Sequence, residues 1–215
     1  MIRQAFFGAE FLLGTLSLAM GGHPEASGEL KGAAPVSEFP FVRGANELEI
    51  DVGGYWSIGT KGDATRPDTG FALGTISYGW MLSDVQGDGC FRGNWEFLLS
   101  AFGGGIFDGP GDGLAGANFS FRYNFVQPQA RIVPFIQLGA GGVYSDAAND
   151  DGVQRLIGSD WSFDLQGSVG LRFLPSDRFA ITVKAEFRHF SNAGLADRNY
   201  GLNSLGGVLG MSFFY

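Results

Sequence analysis

The chain has 215 residues, and its 36 glycines and 21 phenylalanines stand beside a charged fraction of only 17%. Its length points to one domain, and 22 acidic against 14 basic residues give a net charge of -8, which argues against a nucleic-acid partner. Cys90 is the single cysteine, so no intrachain disulfide forms; no Cys/His cluster suggests a metal site, and no motif calls for a cofactor.

Taken in chain order, residues 1–45 read as a signal peptide and flexible linker. Residues 11–20 form an apolar core of signal-peptide length, with Arg3 ahead of it and the small residues Ala19, Gly21 and Ala26 behind. Glu10 is an acid that such peptides rarely carry, and an ordinary disordered leader is the competing reading. Residues 22–45, rich in Gly, Pro, Ala and Glu, read as the linker. Beyond residue 22 no stretch is apolar for the roughly 18 residues that a membrane helix needs.

From residue 46 onward the pattern changes to alternation. Eight segments are predicted as strands: 47–58, 70–82, 91–103, 114–126, 131–144, 161–174, 178–190 and 202–215. The sixth sets Trp161, Phe163, Leu165, Val169, Leu171 and Phe173 against Ser162, Asp164, Gln166, Ser168 and Arg172. Successive side chains of a strand point to opposite faces, so each segment has an oily and a polar side. At about 12–14 residues they slightly exceed the 9–11 that cross a bilayer in a tilted strand. The prediction is all-β: an eight-stranded antiparallel transmembrane β-barrel of the outer-membrane type over residues 46–215, in the bacterial outer membrane.

The connections fit that reading in the second half of the chain. Leu174-Pro175-Ser176-Asp177 and Gln127-Pro128-Gln129-Ala130 read as tight turns, whereas 145–160 and 191–201 are longer. Short periplasmic turns and long external loops alternate in such barrels. The rhythm fades toward the N-terminus, where 83–90 and 104–113 are similar in length. An even strand count puts both chain ends on the periplasmic side. The final Met211-Ser212-Phe213-Phe214-Tyr215 is the aromatic ending such barrels use in assembly. Trp56, Tyr78, Trp80, Trp95, Tyr144 and Trp161 suit an interfacial girdle. The glycine runs 103–105 and 139–142 lack the helix and Lys-Ser/Thr of a phosphate loop, and read as strand glycines.

Parity assigns an inward set of charges: Glu47, Glu49, Asp51, Arg92, Glu96, Arg122, Asp164, Arg172, Lys184, Glu186 and Arg188. Eight strands leave room only for side chains, and unpaired buried charges are costly. The expectation is a salt-bridged core rather than a channel.

One polar pair breaks the pattern. Phe179, Ile181, Val183, Ala185 and Phe187 define the oily face of the seventh strand, and His189 and Ser191 continue the same parity. On a regular strand their side chains lie roughly 6–7 Å apart, so a bend at the strand end would let His189 serve as general base and Ser191 as nucleophile toward an ester. Asn203, outward on the last strand, is a third candidate, able to orient the imidazole. The competing reading is a hairpin loop beside an interfacial histidine.

The string Glu186-Phe187-Arg188-His189-Phe190-Ser191-Asn192-Ala193-Gly194-Leu195, followed by Asn199-Tyr200-Gly201-Leu202-Asn203-Ser204, resembles the PagL-type lipid A 3-O-deacylase (acyloxyacyl hydrolase) family. The resemblance is close over about the last 40 residues, and the strand pattern is compatible with that family's barrel. It implies hydrolysis of the ester-linked acyl chain at position 3 of lipid A, the membrane anchor of lipopolysaccharide. It also implies Ser191 as nucleophile, His189 as base, and the Asn199 side chain and Gly194 backbone N–H as oxyanion-hole donors. At one position the sequence departs: a member of the family carries an acid where Asn203 stands, and the comparable Asp-to-Asn change in a serine protease lowers turnover by about 10⁴. Asp197, in the loop, is the alternative acid. Of three candidate cations for lipid A phosphates, Lys184 and Arg188 have inward parity, leaving Arg198. Two other functions stay open, a non-catalytic small outer-membrane barrel (adhesin or membrane-stabilising) and a lipid A acyltransferase. A homo-oligomer among outer-membrane lipids is also open.

Overall fold

The computed structural model describes residues 39–59, 66–149 and 156–215. Residues 1–38, which hold the expected signal peptide and most of the linker, lie outside them. Eight strands follow one another: β1 (Asn46–Ser57), β2 (Gly70–Met81), β3 (Asn94–Asp108), β4 (Gly113–Asn124), β5 (Ile132–Ser145), β6 (Trp161–Ser176), β7 (Phe179–Ser191) and β8 (Leu202–Phe214). Each pairs antiparallel with the next, and β8 pairs with β1 from Glu47↔Phe214 to Ser57↔Ser204, closing the barrel. Among the described residues no helix is long and apolar enough to cross a membrane.

Two strand ends differ from expectation. β3 begins at Asn94 because Gly89–Phe91 form a one-turn 3-10 helix, and it runs on to Asp108. Its glycines carry no parity signal, yet they let neighbouring backbones close in: a Cβ on Gly104 would fall on the Ala72 carbonyl oxygen. The connection to β4 therefore shrinks to 109–112. β6 similarly runs through Pro175 to Ser176, with a shift in register between Phe173 and Ser176, so the turn to β7 is Asp177-Arg178. A proline is tolerated at such an irregularity because the ladder does not need its missing N–H.

The interior has three tiers. At the end that carries the C-terminus, Phe41, Met81, Val126, Val133, Leu174 and Phe214 form an apolar cluster. Phe41 and Ala45, from the last residues of the predicted linker, are buried in it. At the opposite end Tyr55, Phe71, Phe102, Leu156, Phe190 and Leu202 belong to a second cluster. Ion pairs lie between. Arg122 meets Glu49 at 2.8 Å, Arg172 meets Glu47 at 2.6 Å and Glu96 at 3.3 Å, and Lys184 meets Asp51 at 2.7 Å. Arg188 joins Asp164 at 2.9 Å and Glu186 at 2.8 Å, and the Tyr55 hydroxyl donates to Glu186 at 2.7 Å. The other inward charges are thus paired as parity requires; Arg92 precedes β3 and donates to the Val126 carbonyl.

The outer surface is apolar. Trp56, Phe107, Tyr144 and Trp161 ring one end; Trp80, Trp95, Tyr123 and Tyr215 ring the other. Exposed Val52, Leu99, Leu138, Val169, Val183 and Leu209 cover the wall between them. An apolar band between aromatic rings is the surface a bilayer requires.

Candidate active site

The site forms where β7 and β8 reach the barrel end opposite the C-terminus. In register, His189 is flanked by Leu165 on β6 and Asn203 on β8. All three face outward, as parity predicts. His189 Nδ1 lies 2.7 Å from Asn203 Oδ1. An amide oxygen only accepts, so Nδ1 is the donor in this pair and Nε2 is left facing away from Asn203. Asn203 is itself fixed, because its carbonyl accepts the Ile58 N–H at 2.8 Å.

Ser191 is the last residue of β7 and pairs with Phe163. The strand stays regular up to it, which keeps side chains two residues apart from touching. Among the described residues its hydroxyl makes no hydrogen bond with the imidazole. The structure therefore joins His189 to Asn203 but leaves the Ser191–His189 link open, and such contacts often tighten only with substrate bound.

The connection after β7 is organised by Asn192, which sequence reasoning passed over. Its backbone N–H donates to Asn199 Oδ1 at 2.8 Å, its Oδ1 accepts the Gly194 N–H at 3.0 Å, and its Nδ2 donates to the Arg198 carbonyl at 2.9 Å. Asn199 consequently has its oxygen engaged and its NH2 as the donor end. The Gly194 N–H is engaged by Asn192, so it reaches a ligand only by exchanging that bond. The only signal in the sequence was that Asn-x-Gly favours a local side-chain turn. Gly201 was also missed. At φ +73° it adopts a left-handed conformation, and a Cβ there would come 2.9 Å from His189 Cε1. Asp197 is exposed in this connection, and no ion pair or hydrogen bond ties it to His189. Arg198 donates to the Ala148 carbonyl at 3.0 Å.

Asp146, in the one-turn helix after β5, accepts the backbone N–H groups of Asp112 and Gly113 at 2.9 and 3.0 Å. Those two bonds, Gly113 first, hold its carboxyl below the usual carboxylate range.

A family model described as Lipid A 3-O-deacylase (PagL) matches residues 49–212, three quarters of the sequence and all but the margins of the barrel. The chain belongs to that family. Among solved structures it is similar to the outer membrane enzyme PagL, at 22% identity and a TM-score of 0.52 over 76% of this chain and 97% of that one. It is also similar to Neisserial surface protein A (NspA), at 14% identity and a TM-score of 0.56 over 80% of this chain and 100% of the other. At those identities the structural likenesses speak for the barrel alone. No curated protein sequence matches significantly. As a PagL-family barrel the protein resides in the bacterial outer membrane. The connection that holds the candidate site is at the barrel end opposite the C-terminus, and in such barrels long connections are external and short turns periplasmic.

Proposed function

We propose that this chain is a lipid A 3-O-deacylase that works as a serine esterase on the lipid-facing side of its own wall. The reading rests above all on the 2.7 Å contact of Asn203 Oδ1 with Nδ1 of His189, the residue two positions before Ser191. With Nδ1 protonated, Nε2 takes the Ser191 proton as Oγ attacks the ester carbonyl of the acyl chain at position 3. The Asn199 NH2 and, after release from Asn192, the Gly194 N–H stabilise the oxyanion. The sugar oxygen leaves with the proton from His189, and water then hydrolyses the acyl-serine by the same base. Asn203 orients the ring without the charge stabilisation of a carboxylate, so the enzyme turns over more slowly than one with an acid there. No metal or cofactor enters this sequence of steps.

Mass spectrometry of lipid A treated with folded, purified protein tests the proposal. Loss of one 3-hydroxyacyl chain with the native sequence, and none with Ser191→Ala, is the expected result. Identical profiles for both proteins would mean a non-catalytic barrel, and gain of a chain would mean an acyltransferase.

A further inference from the structure

Arg66 lies in the connection between β1 and β2, at the external end, with its guanidinium carbon 4.9 Å from the centre of the Tyr200 ring. Tyr200 sits between Asn199 and Gly201, both of which shape the site described above. The connection that carries Arg66 is also tied to the site at its start, through the Ile58 N–H on the Asn203 carbonyl. The described external connections hold two cations. Arg198 is satisfied by a carbonyl, whereas Arg66 rests on a ring face, and its Nε is enclosed without a hydrogen-bond partner.

That placement has a chemical meaning. Stacking uses the face of a guanidinium and leaves its N–H groups in the plane, where their fork matches two oxygens of a phosphate. A lipid A molecule in the external leaflet has its acyl esters at the boundary between chains and sugar, level with the ends of the strands. Its glucosamine disaccharide, with phosphate monoesters at positions 1 and 4′, lies farther out among the loops. Arg66 lies in a loop before β2 begins at Gly70, whereas His189 lies within β7.

We propose that Arg66, held by Tyr200, binds a phosphate monoester of the lipid A disaccharide and so sets the position-3 ester against Ser191. This rests on the lipid A reading above. The assignment moves the phosphate contact from Arg198, which sequence alone favoured, to a residue 132 positions earlier in the chain.

Binding is measured in detergent micelles with full-length Ser191→Ala protein, so that the lipid stays intact, using bisphosphorylated lipid A and the forms lacking the 1- or the 4′-phosphate. Arg66→Met is expected to weaken binding of bisphosphorylated lipid A about tenfold, the scale of one charge-assisted contact. Its effect is expected to fall below twofold on whichever form lacks the contacted phosphate, which also identifies that phosphate. Arg66→Lys, which keeps the charge without the planar fork, lies between. An equal effect on all three lipids, or none on any, overturns the proposal. Fatty-acid release by protein with Ser191 intact is followed separately. Phosphate-dependent binding through Arg66 without release would keep this inference and sink the hydrolase reading. Release with a phosphate-independent Arg66 effect would do the reverse.

Discussion

His189 owes its exposure to the bilayer to a parity of two, and its tautomer to one neighbour on the next strand. Asn203 is therefore the most informative residue to change. Asn203→Asp keeps the acceptor and adds a charge opposite the imidazolium, so acyl release is expected to stay level or rise; Asn203→Leu, of similar size with no acceptor, should lower it. Timed fatty-acid release from lipid A measures both, and a faster Leu variant would remove Asn203 from the mechanism. Gly201 offers a second test at this scale. Gly201→Ala places a methyl group 2.9 Å from His189 Cε1 on a backbone that L-residues avoid. A displaced imidazole is expected to cost about 10²-fold in rate, while the barrel's heat-induced mobility shift on gels stays as in the native protein.

Among the elements, the strands owe their positions to side-chain alternation and the connections to contacts that alternation does not encode. The oily and charged positions of β7 were readable residue by residue, and so was the position of Asn203 beside His189. The far end of β3 was not, because glycines 103–105 have no side chain to declare a face. The roles of Asn192 and of the Arg66–Tyr200 pair were hidden for another reason. One depends on where an amide turns inside a loop, the other on two loops far apart in sequence. The connection built by Asn192 has its own test. Asn192→Leu removes an oxygen and an NH2 that hold Gly194 and Arg198, so protease cleavage between β7 and β8 should quicken and release fall, with the barrel's unfolding midpoint unchanged.

For the whole molecule, the ion-pair tier is the feature most sensitive to mutation. Arg122 is fully buried and lies within 3.6 Å of Glu47, Glu49 and Glu96. Arg122→Met leaves these three buried carboxylates to share Arg172 and Lys184, an excess of negative charge away from water, and breaking such a network typically costs about 3–5 kcal/mol. Urea unfolding from lipid vesicles, followed by tryptophan fluorescence, should register that loss; an unchanged midpoint would mean the network relaxes around the gap. Because apolar clusters stop both ends, reconstituted protein is expected to give no steady conductance in a planar bilayer.

An interior filled at both ends, with His189 on the outside wall, also bears on how a substrate would arrive. On the proposed function, lipid A reaches His189 by sliding sideways within the leaflet, and the detached chain departs the same way. The search is two-dimensional, so the governing quantity is substrate per unit of membrane area rather than per unit volume. Diluting lipid A with inert lipid in the same vesicle should slow the initial rate in proportion to its mole fraction. Adding more vesicles of the same composition, once all the protein is embedded, should leave the rate where it was.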